Sequence, residues 1–342
     1  GTLPQTEKQA LVEGRAEWSD RSKVRRVPDL YLTDPLYNDA IPSLYAGAAE
    51  LYAFYDQLMT EFPSYVSRSS LGQDQDGVHI YQYQFPAPDF LRWNWSAAET
   101  KPPKIILISG THGGEVQAQV RQLIVLRNLC RHWRDLPGYH RLRFGLDLVV
   151  IPCAAPWTIT NPSRTNKSGV NINRNFAAGW DLAPADPGSE NYRGPSAGSE
   201  LETQAIMKLP TLHPDAIAVI DNHNGTGVDY NLWFGAGRRA QLEIAKSFIP
   251  DLHDYLRRTI RPDFDPQAPS TYFTHLHDGS LARWMQDVPN IPTLLIEQSS
   301  GPSHTQLDGL NRSHRRLGEI AILNAIHAFL DREVRKRTTM EI

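Results

Sequence analysis

Apolar residues recur every three or four positions between residues 44 and 59, which is typical of the buried face of an amphipathic helix. The repeating positions are Leu44, Tyr45, Ala48, Leu51, Tyr52, Tyr55, Leu58 and Met59. Pro63 follows soon afterwards, and a proline cannot continue a helix. The spacing therefore predicts a helix that ends shortly before Pro63 and packs its aromatic stripe into a core.

Strand patterns of two kinds follow this helix. Residues 78–85 alternate as a half-buried strand does, whereas nearly continuous apolar runs occupy residues 105–108, 146–151, 216–220 and 293–296. Helical stretches lie near 114–133, 199–209, 239–258 and 311–334. Apolar runs of this length indicate strands that are buried on both faces. The order predicts a single α/β domain with a mixed, mostly parallel, twisted sheet and helices on both faces.

Composition places the chain among ordinary globular proteins. Of its 342 residues, 40% are apolar and 21% are charged, and the formal net charge is -3. This charge gives no electrostatic reason to expect nucleic acid as a partner. No stretch approaches the roughly 18 apolar residues of a membrane span, so we expect a soluble protein without one. Its location, cytoplasmic or secreted after removal of a signal peptide, and its oligomeric state are left open.

The two cysteines give no sign of a disulfide. Cys130 falls in an apolar helical stretch, and Cys153 follows a predicted strand. We expect both side chains to be buried as small apolar groups.

Polar side chains follow four of the predicted strands at the points where these strands end. They are His112 and Glu115 after the first run, Arg164 and Arg174 in the loop after the second, His223 after the third and Glu297 after the fourth. In open α/β sheets, reactive groups gather beyond the carboxyl ends of the strands. The sequence therefore predicts that these side chains meet at one edge of the sheet.

The residue types at this edge suit a zinc site. Zinc accepts imidazole nitrogen and carboxylate oxygen, and a catalytic site with three protein ligands leaves a position for water. His112 and Glu115 are three residues apart and can reach one ion, and His223 closes the set. A His-x-x-Glu pair is also common without any metal, and His223 alone fits a hydrogen-bonded loop histidine equally well. Glu297 would be costly to bury without a charge partner or a reaction, so it is the candidate general base.

Residues 169–176 read Gly-Val-Asn-Ile-Asn-Arg-Asn-Phe, which resembles the Gly-Val-Asp-Leu-Asn-Arg-Asn-Phe signature of the M14-type zinc carboxypeptidases, a family that includes bacterial murein-peptide hydrolases. Residues 192–195 and 199–203 resemble the stretch before the family's next core helix, and the histidine and glutamate motifs occur in the family's order. The resemblance covers residues 40 to 335. It implies a catalytic domain at 39–335, followed by a C-terminal tail at 336–342. The start of the chain is rich in charge and lacks a periodic apolar pattern, which predicts an N-terminal arm at 1–38.

The resemblance also implies a role for each matching residue. One zinc ion would be bound by His112, Glu115 and His223, and Glu297 would be the general base and proton shuttle. Asn173 and Arg174 would hold the terminal carboxylate of the substrate. Arg164 would stabilise the oxyanion, because a guanidinium beside a metal can meet the negative charge that develops there.

Two positions depart from the family pattern. Asn171 stands where the family has an aspartate that accepts a hydrogen bond from a metal-binding histidine, and an amide makes that imidazole less basic. Tyr272 is the candidate for the mobile substrate-capping tyrosine, although His275 and His277 lie between it and the expected turn.

Leu281 falls where the family binds the terminal side chain of the substrate, which favours apolar groups. The neighbouring Arg283 favours acidic ones instead.

The leading hypothesis is zinc-dependent hydrolysis of a peptide or peptide-like substrate near its free carboxylate. A cell-wall peptide endopeptidase or an N-acyl amino acid deacylase would keep the same zinc and base. A non-catalytic module that binds peptide termini is the alternative from another class. The spacing of Gly110, Gly113 and Gly114 does not fit a dinucleotide-binding motif.

Overall fold

A computed structural model describes residues 47–88, 101–136, 138–225, 232–259, 272–273, 276–298 and 309–340. The predicted N-terminal arm, at 1–38, lies outside these residues. The helices are α1 (Ala48–Glu61), α2 (Val116–Arg131), α3 (Tyr139–Gly145), α4 (Pro156–Thr160), α5 (Leu201–Met207), α6 (Leu209–Leu212), α7 (Arg239–Thr259), α8 (Leu281–Asp287) and α9 (Gly309–Met340). The strands are β1 (Ser67–Gln73), β2 (His79–Phe85), β3 (Lys104–Ser109), β4 (Asp147–Ile151), β5 (Ala216–His223), β6 (Leu232–Gly235), β7 (Tyr272–Phe273) and β8 (Thr293–Gln298).

The strands form one sheet in the order β1-β2-β4-β3-β5-β8-β6-β7. Its centre, β4-β3-β5-β8, is parallel throughout. On one side β1, β2 and β4 pair antiparallel, and on the other β6 pairs antiparallel with β8 and parallel with β7. The mixed, mostly parallel sheet predicted from the sequence is thus confirmed, and the carboxyl ends of the four central strands share one edge.

Alternate residues of the central strands supply two separate cores. Ile105 and Leu107 of β3 pack into the larger cluster, together with α1, α2, α7 and α9, whereas Ile106 and Ile108 pack into a second cluster on the opposite face. This division follows from the period of two in a strand. Continuous apolar runs were therefore a correct sign of a sheet that is covered on both sides.

The predicted helical stripe is present in α1. Leu51, Tyr55 and Leu58 are buried on it, and the helix stops two residues before Pro63. The last helix extends beyond the predicted 311–334: α9 runs to Met340, so residues 336–340 continue a helix. Both cysteines are buried and free, as predicted. No helix within the described ranges is long and apolar enough to cross a membrane.

Candidate metal centre and active site

The loop after β3 turns tightly against α4 and the residues that follow this helix. A Cβ atom on Gly113 would lie 1.5 Å from the carbonyl oxygen of Thr158, so only glycine fits there. The Gly113 amide donates a hydrogen bond of 2.9 Å to the carbonyl of Ser163, the residue before Arg164. This close approach places the loop that carries Arg164 beside His112 and Glu115.

His112, Glu115 and His223 converge at the carboxyl edge of the sheet. One ligand atom from each lies within 4.8 Å of those of the other two. Nδ1 of His112 is 2.7 Å from Oε1 of Glu115, and Nδ1 of His223 is 2.9 Å from Oε2 of the same carboxylate. All three residues are buried. Two imidazoles and one carboxylate at this spacing can hold one zinc ion, and the donor set fits that metal.

The two histidines favour the ionised form of the Glu115 carboxylate. Burial raises the pKa of Glu115, but His112 and His223 outweigh this effect and hold that pKa well below its usual value. Burial lowers the pKa of His223, but Asp221 and Glu115 outweigh it in turn and raise that pKa well above its usual value. The three groups therefore form a strongly coupled, buried cluster of the kind that often marks a functional site.

The Nε2 atom of His112 faces an amide, whereas that of His223 faces a carboxylate. Nε2 of His112 is 3.1 Å from Oδ1 of Asn171, and Nε2 of His223 is 3.0 Å from Oδ1 of Asp221. Asp221 is fully buried. Sequence reasoning did not identify Asp221, although its position two residues before His223 places both side chains on the same face of β5.

Glu297 lies on β8, directly beside His223 on β5. In the parallel pairing of β5 and β8, Glu297 is the register partner of His223. Burial raises the pKa of Glu297 above its usual value, with Glu115 adding to the effect and His223 opposing it. A carboxyl group with a raised pKa is better matched to proton transfer near neutral pH.

Two arginines approach this edge from the loop after β4. Nη1 of Arg164 is 4.0 Å from Oε1 of Glu115, and both Nε and Nη2 are 3.4 Å from Oδ1 of Asn191. Arg174 is buried, and burial together with repulsion from Arg164 lowers its pKa to about 10, against attraction from Glu297. Asn191 was not identified from the sequence, because it lies in a polar loop without any periodic pattern.

Asn173 contributes to the structure of the site as well. Its Oδ1 accepts a hydrogen bond of 2.9 Å from the backbone N–H of Leu281, and its backbone carbonyl accepts one of 2.7 Å from Nη1 of Arg174. The side chain of Leu281 is buried in the second core cluster, beside Phe176 and Met285. This burial places Leu281 under the site, and its contact with substrate stays a prediction.

Arg283 forms ion pairs with Asp278 and Asp287, so part of its charge is balanced within the protein. The backbone of Tyr272 lies in β7, beside β6. Its side chain and the whole of His275 lie outside the described residues, so the role of Tyr272 as the capping residue also stays a prediction.

Comparisons with known proteins agree with this geometry. A family model described as zinc carboxypeptidase matches residues 51–297. The chain belongs to the zinc carboxypeptidase family. The expected family is thereby confirmed.

Carboxypeptidases from animals and bacteria are among its relatives. Carboxypeptidase A1 of Rattus norvegicus is 26% identical over 191 residues, which are 51% of this chain and 43% of that protein. Carboxypeptidase A1 of Sus scrofa is 27% identical over 197 residues, covering 53% and 44% respectively. The chain thus spans less than half the length of these curated relatives.

Solved structures show the same fold at lower identity. Carboxypeptidase A from Helicoverpa armigera has a TM-score of 0.63 at 16% identity, covering 96% of this chain and 79% of that one. A metallo-carboxypeptidase from Burkholderia cenocepacia has a TM-score of 0.59 at 17% identity, with 83% and 69% covered.

Proposed function

We propose that this protein hydrolyses a peptide or amide bond next to a free carboxylate, with one zinc ion held by His112, Glu115 and His223. The observation that carries the proposal is the approach of both Nδ1 atoms to the two oxygens of a single buried carboxylate. The bound ion would act as a Lewis acid and activate water. The side chains around the ion would transfer protons and bind the substrate.

Glu297 is the proposed general base. It lies beside His223 in the sheet, and its pKa is raised chiefly by burial, which prepares it to take up a proton and deliver it to the leaving amine. A module that only binds peptide termini has no use for this group. Its presence therefore favours an enzyme over the binding module.

The two arginines are the proposed anion-binding groups. The shift of the Arg174 pKa to about 10 leaves its guanidinium positively charged at neutral pH, and a planar guanidinium matches the two oxygens of a carboxylate. Asn173 would complete the carboxylate pocket. Arg164, which is only partly buried, would stabilise the oxyanion from the side of Glu115.

Two other hydrolytic activities suit the same residues. A cell-wall peptide endopeptidase and an N-acyl amino acid deacylase would both use the zinc group and Glu297. They differ from a carboxypeptidase in what lies on either side of the cleaved bond. Substrate tests, rather than the metal group, separate them.

The test combines zinc analysis with a matched set of substrates. Zinc content is measured on purified protein, and hydrolysis is followed with peptides that end in a free carboxylate, the same peptides amidated, a cell-wall tripeptide and an N-acyl amino acid. We expect one zinc per chain and cleavage that requires the free carboxylate. E297Q is expected to keep zinc and lose activity. A protein that takes up no zinc after reconstitution would contradict the proposal, and equal cleavage of amidated peptides would favour the endopeptidase.

A further inference from the structure

Each zinc-binding histidine needs an acceptor for its second nitrogen. Both Nδ1 atoms face Glu115, so with zinc bound between them each Nε2 would carry the ring proton and present it to another group. Such acceptors fix the orientation of the ring and increase its basicity, and a carboxylate does so more strongly than an amide. The two histidines are therefore expected to differ as ligands.

The surroundings of Asn171 use both the acceptor and the donor of its side-chain amide. Its Oδ1 accepts a hydrogen bond of 3.0 Å from the Asn173 amide and faces His112, while its Nδ2 donates one of 3.1 Å to the carbonyl of Glu190. An aspartate at this position would set a carboxylate oxygen against that carbonyl oxygen. These contacts favour an amide over a carboxylate beside His112, where the resemblance implies an aspartate.

Asp221 provides the charge on the other side of the group. Its side chain is fully buried, and Oδ1 lies 3.0 Å from Nε2 of His223. The two atoms are close but lack the alignment of a hydrogen bond, and within the part of the chain that the structure describes neither carboxylate oxygen has a hydrogen-bond partner. Burying such a group is costly unless a positive charge offsets it.

We propose that Asp221 is the charged positioning residue of the metal centre, and that its carboxylate beside His223 replaces the one that Asn171 does not supply to His112. The inference rests on the proposed function, because it requires that the group binds zinc.

The test compares zinc affinity in variants that differ by one atom type. D221N keeps the shape of the side chain and removes its charge, and D74N is the matched control, because Asp74 is also a buried carboxylate with an unpartnered oxygen but lies in the turn after β1. Affinity is measured by competition with a chromogenic chelator. D221N is expected to bind zinc about 10–100-fold more weakly, and D74N is expected to match the wild type.

Thermal unfolding separates a metal role from a merely structural one. Metal-free D221N should unfold at the wild-type temperature or below, since the contact of Asp221 with His223 is weakened, and the rise in Tm on adding zinc should shrink as well. If D221N does not fold, D221S tests the same position with a smaller side chain. A folded variant of Asp221 that binds zinc within twofold of the wild type overturns this inference alone.

N171D tests the second half of the proposal. It should not bind zinc more tightly than the wild type, because the Glu190 carbonyl opposes the added carboxylate. Tighter binding by N171D would show that the loop does accept the charge and would overturn the proposed replacement. Failure of the wild-type protein itself to bind zinc would instead remove the proposed function, and this inference with it.

Discussion

Glu297 and His223 are register partners on two neighbouring parallel strands, β8 and β5. Backbone hydrogen bonding of the sheet therefore sets the distance between the proposed base and a proposed zinc ligand, so that neither depends on a loop. Sites built on strands hold their geometry more tightly than sites built on loops. A substitution of Glu297 can thus remove its chemistry without disturbing the metal group.

E297Q gives the first prediction. The amide keeps the shape of the side chain but cannot take up a proton, so kcat should fall by about 10²–10⁴-fold, the usual contribution of general acid–base catalysis. Zinc content and the melting temperature should stay near those of the wild type. Steady-state kinetics and metal analysis on one preparation measure all three. A loss of zinc in E297Q would show instead that Glu297 helps to hold the metal.

Arg174 gives a prediction about substrate recognition. R174K keeps the charge but loses the planar fork, and R174M loses both. On peptides with a free carboxylate, kcat/KM should fall in R174K and fall further in R174M, by roughly 10²-fold or more for a lost charge-assisted pair. Amidated peptides serve as the control, because the two variants should cleave them as poorly as the wild type does. Equal losses on both kinds of peptide would contradict the carboxylate role.

The central sheet could be predicted because its strands are buried on both faces, and such burial leaves a plain apolar run in the sequence. The strands toward the edges of the sheet could not be predicted in this way. β1 buries only Leu71 within Ser67–Gln73, so its polar sequence resembles a loop, and antiparallel pairing with β2 is what makes it a strand. β6 and β7 have only four and two residues, which is too short for any periodicity to show.

The same division holds at the site. His112 and Glu115 follow a strand, and His223 and Glu297 lie at the carboxyl ends of strands. Their convergence could therefore be foreseen from strand ends alone. Asn191 could not, because it reaches Arg164 only through the folding of a long loop. Arg283 also shows the limit of sequence reasoning, since its pairing with Asp278 depends on the shape of a turn.

Glu202 gives a prediction about pH and stability. Burial raises its pKa to about 7, with Glu200 and Asp74 adding to the effect and a hydrogen bond from Asn166 opposing it. The folded pKa thus exceeds the unfolded value, so the folded state binds the proton more tightly. The resulting stabilisation is fully present below the unfolded pKa and is lost as the pH rises through 7. The free energy of unfolding should therefore fall between pH 5 and pH 8, by an amount on the order of 3 kcal/mol at most.

E202Q should flatten this dependence, because the amide has no proton to lose. Urea unfolding at several pH values measures it. Glu50, exposed on α1, supplies the control variant E50Q, which should keep the wild-type slope. A wild-type slope in E202Q would assign the pH dependence to other groups.

Two adjacent glycines test how the metal loop is built. A Cβ on Gly113 would overlap the Thr158 carbonyl, whereas a Cβ on Gly114 would meet no atom within 4 Å. G113A must therefore push the loop that carries His112 away from the loop that carries Arg164, at a cost of about 3 kcal/mol or more, and zinc affinity should fall because His112 moves. G114A adds the same methyl group into open space and should change stability by less than about 0.5 kcal/mol. Denaturant unfolding and zinc competition on the pair measure both effects. Equal behaviour of the two variants would mean that the close contact at Gly113 does not position the ligands.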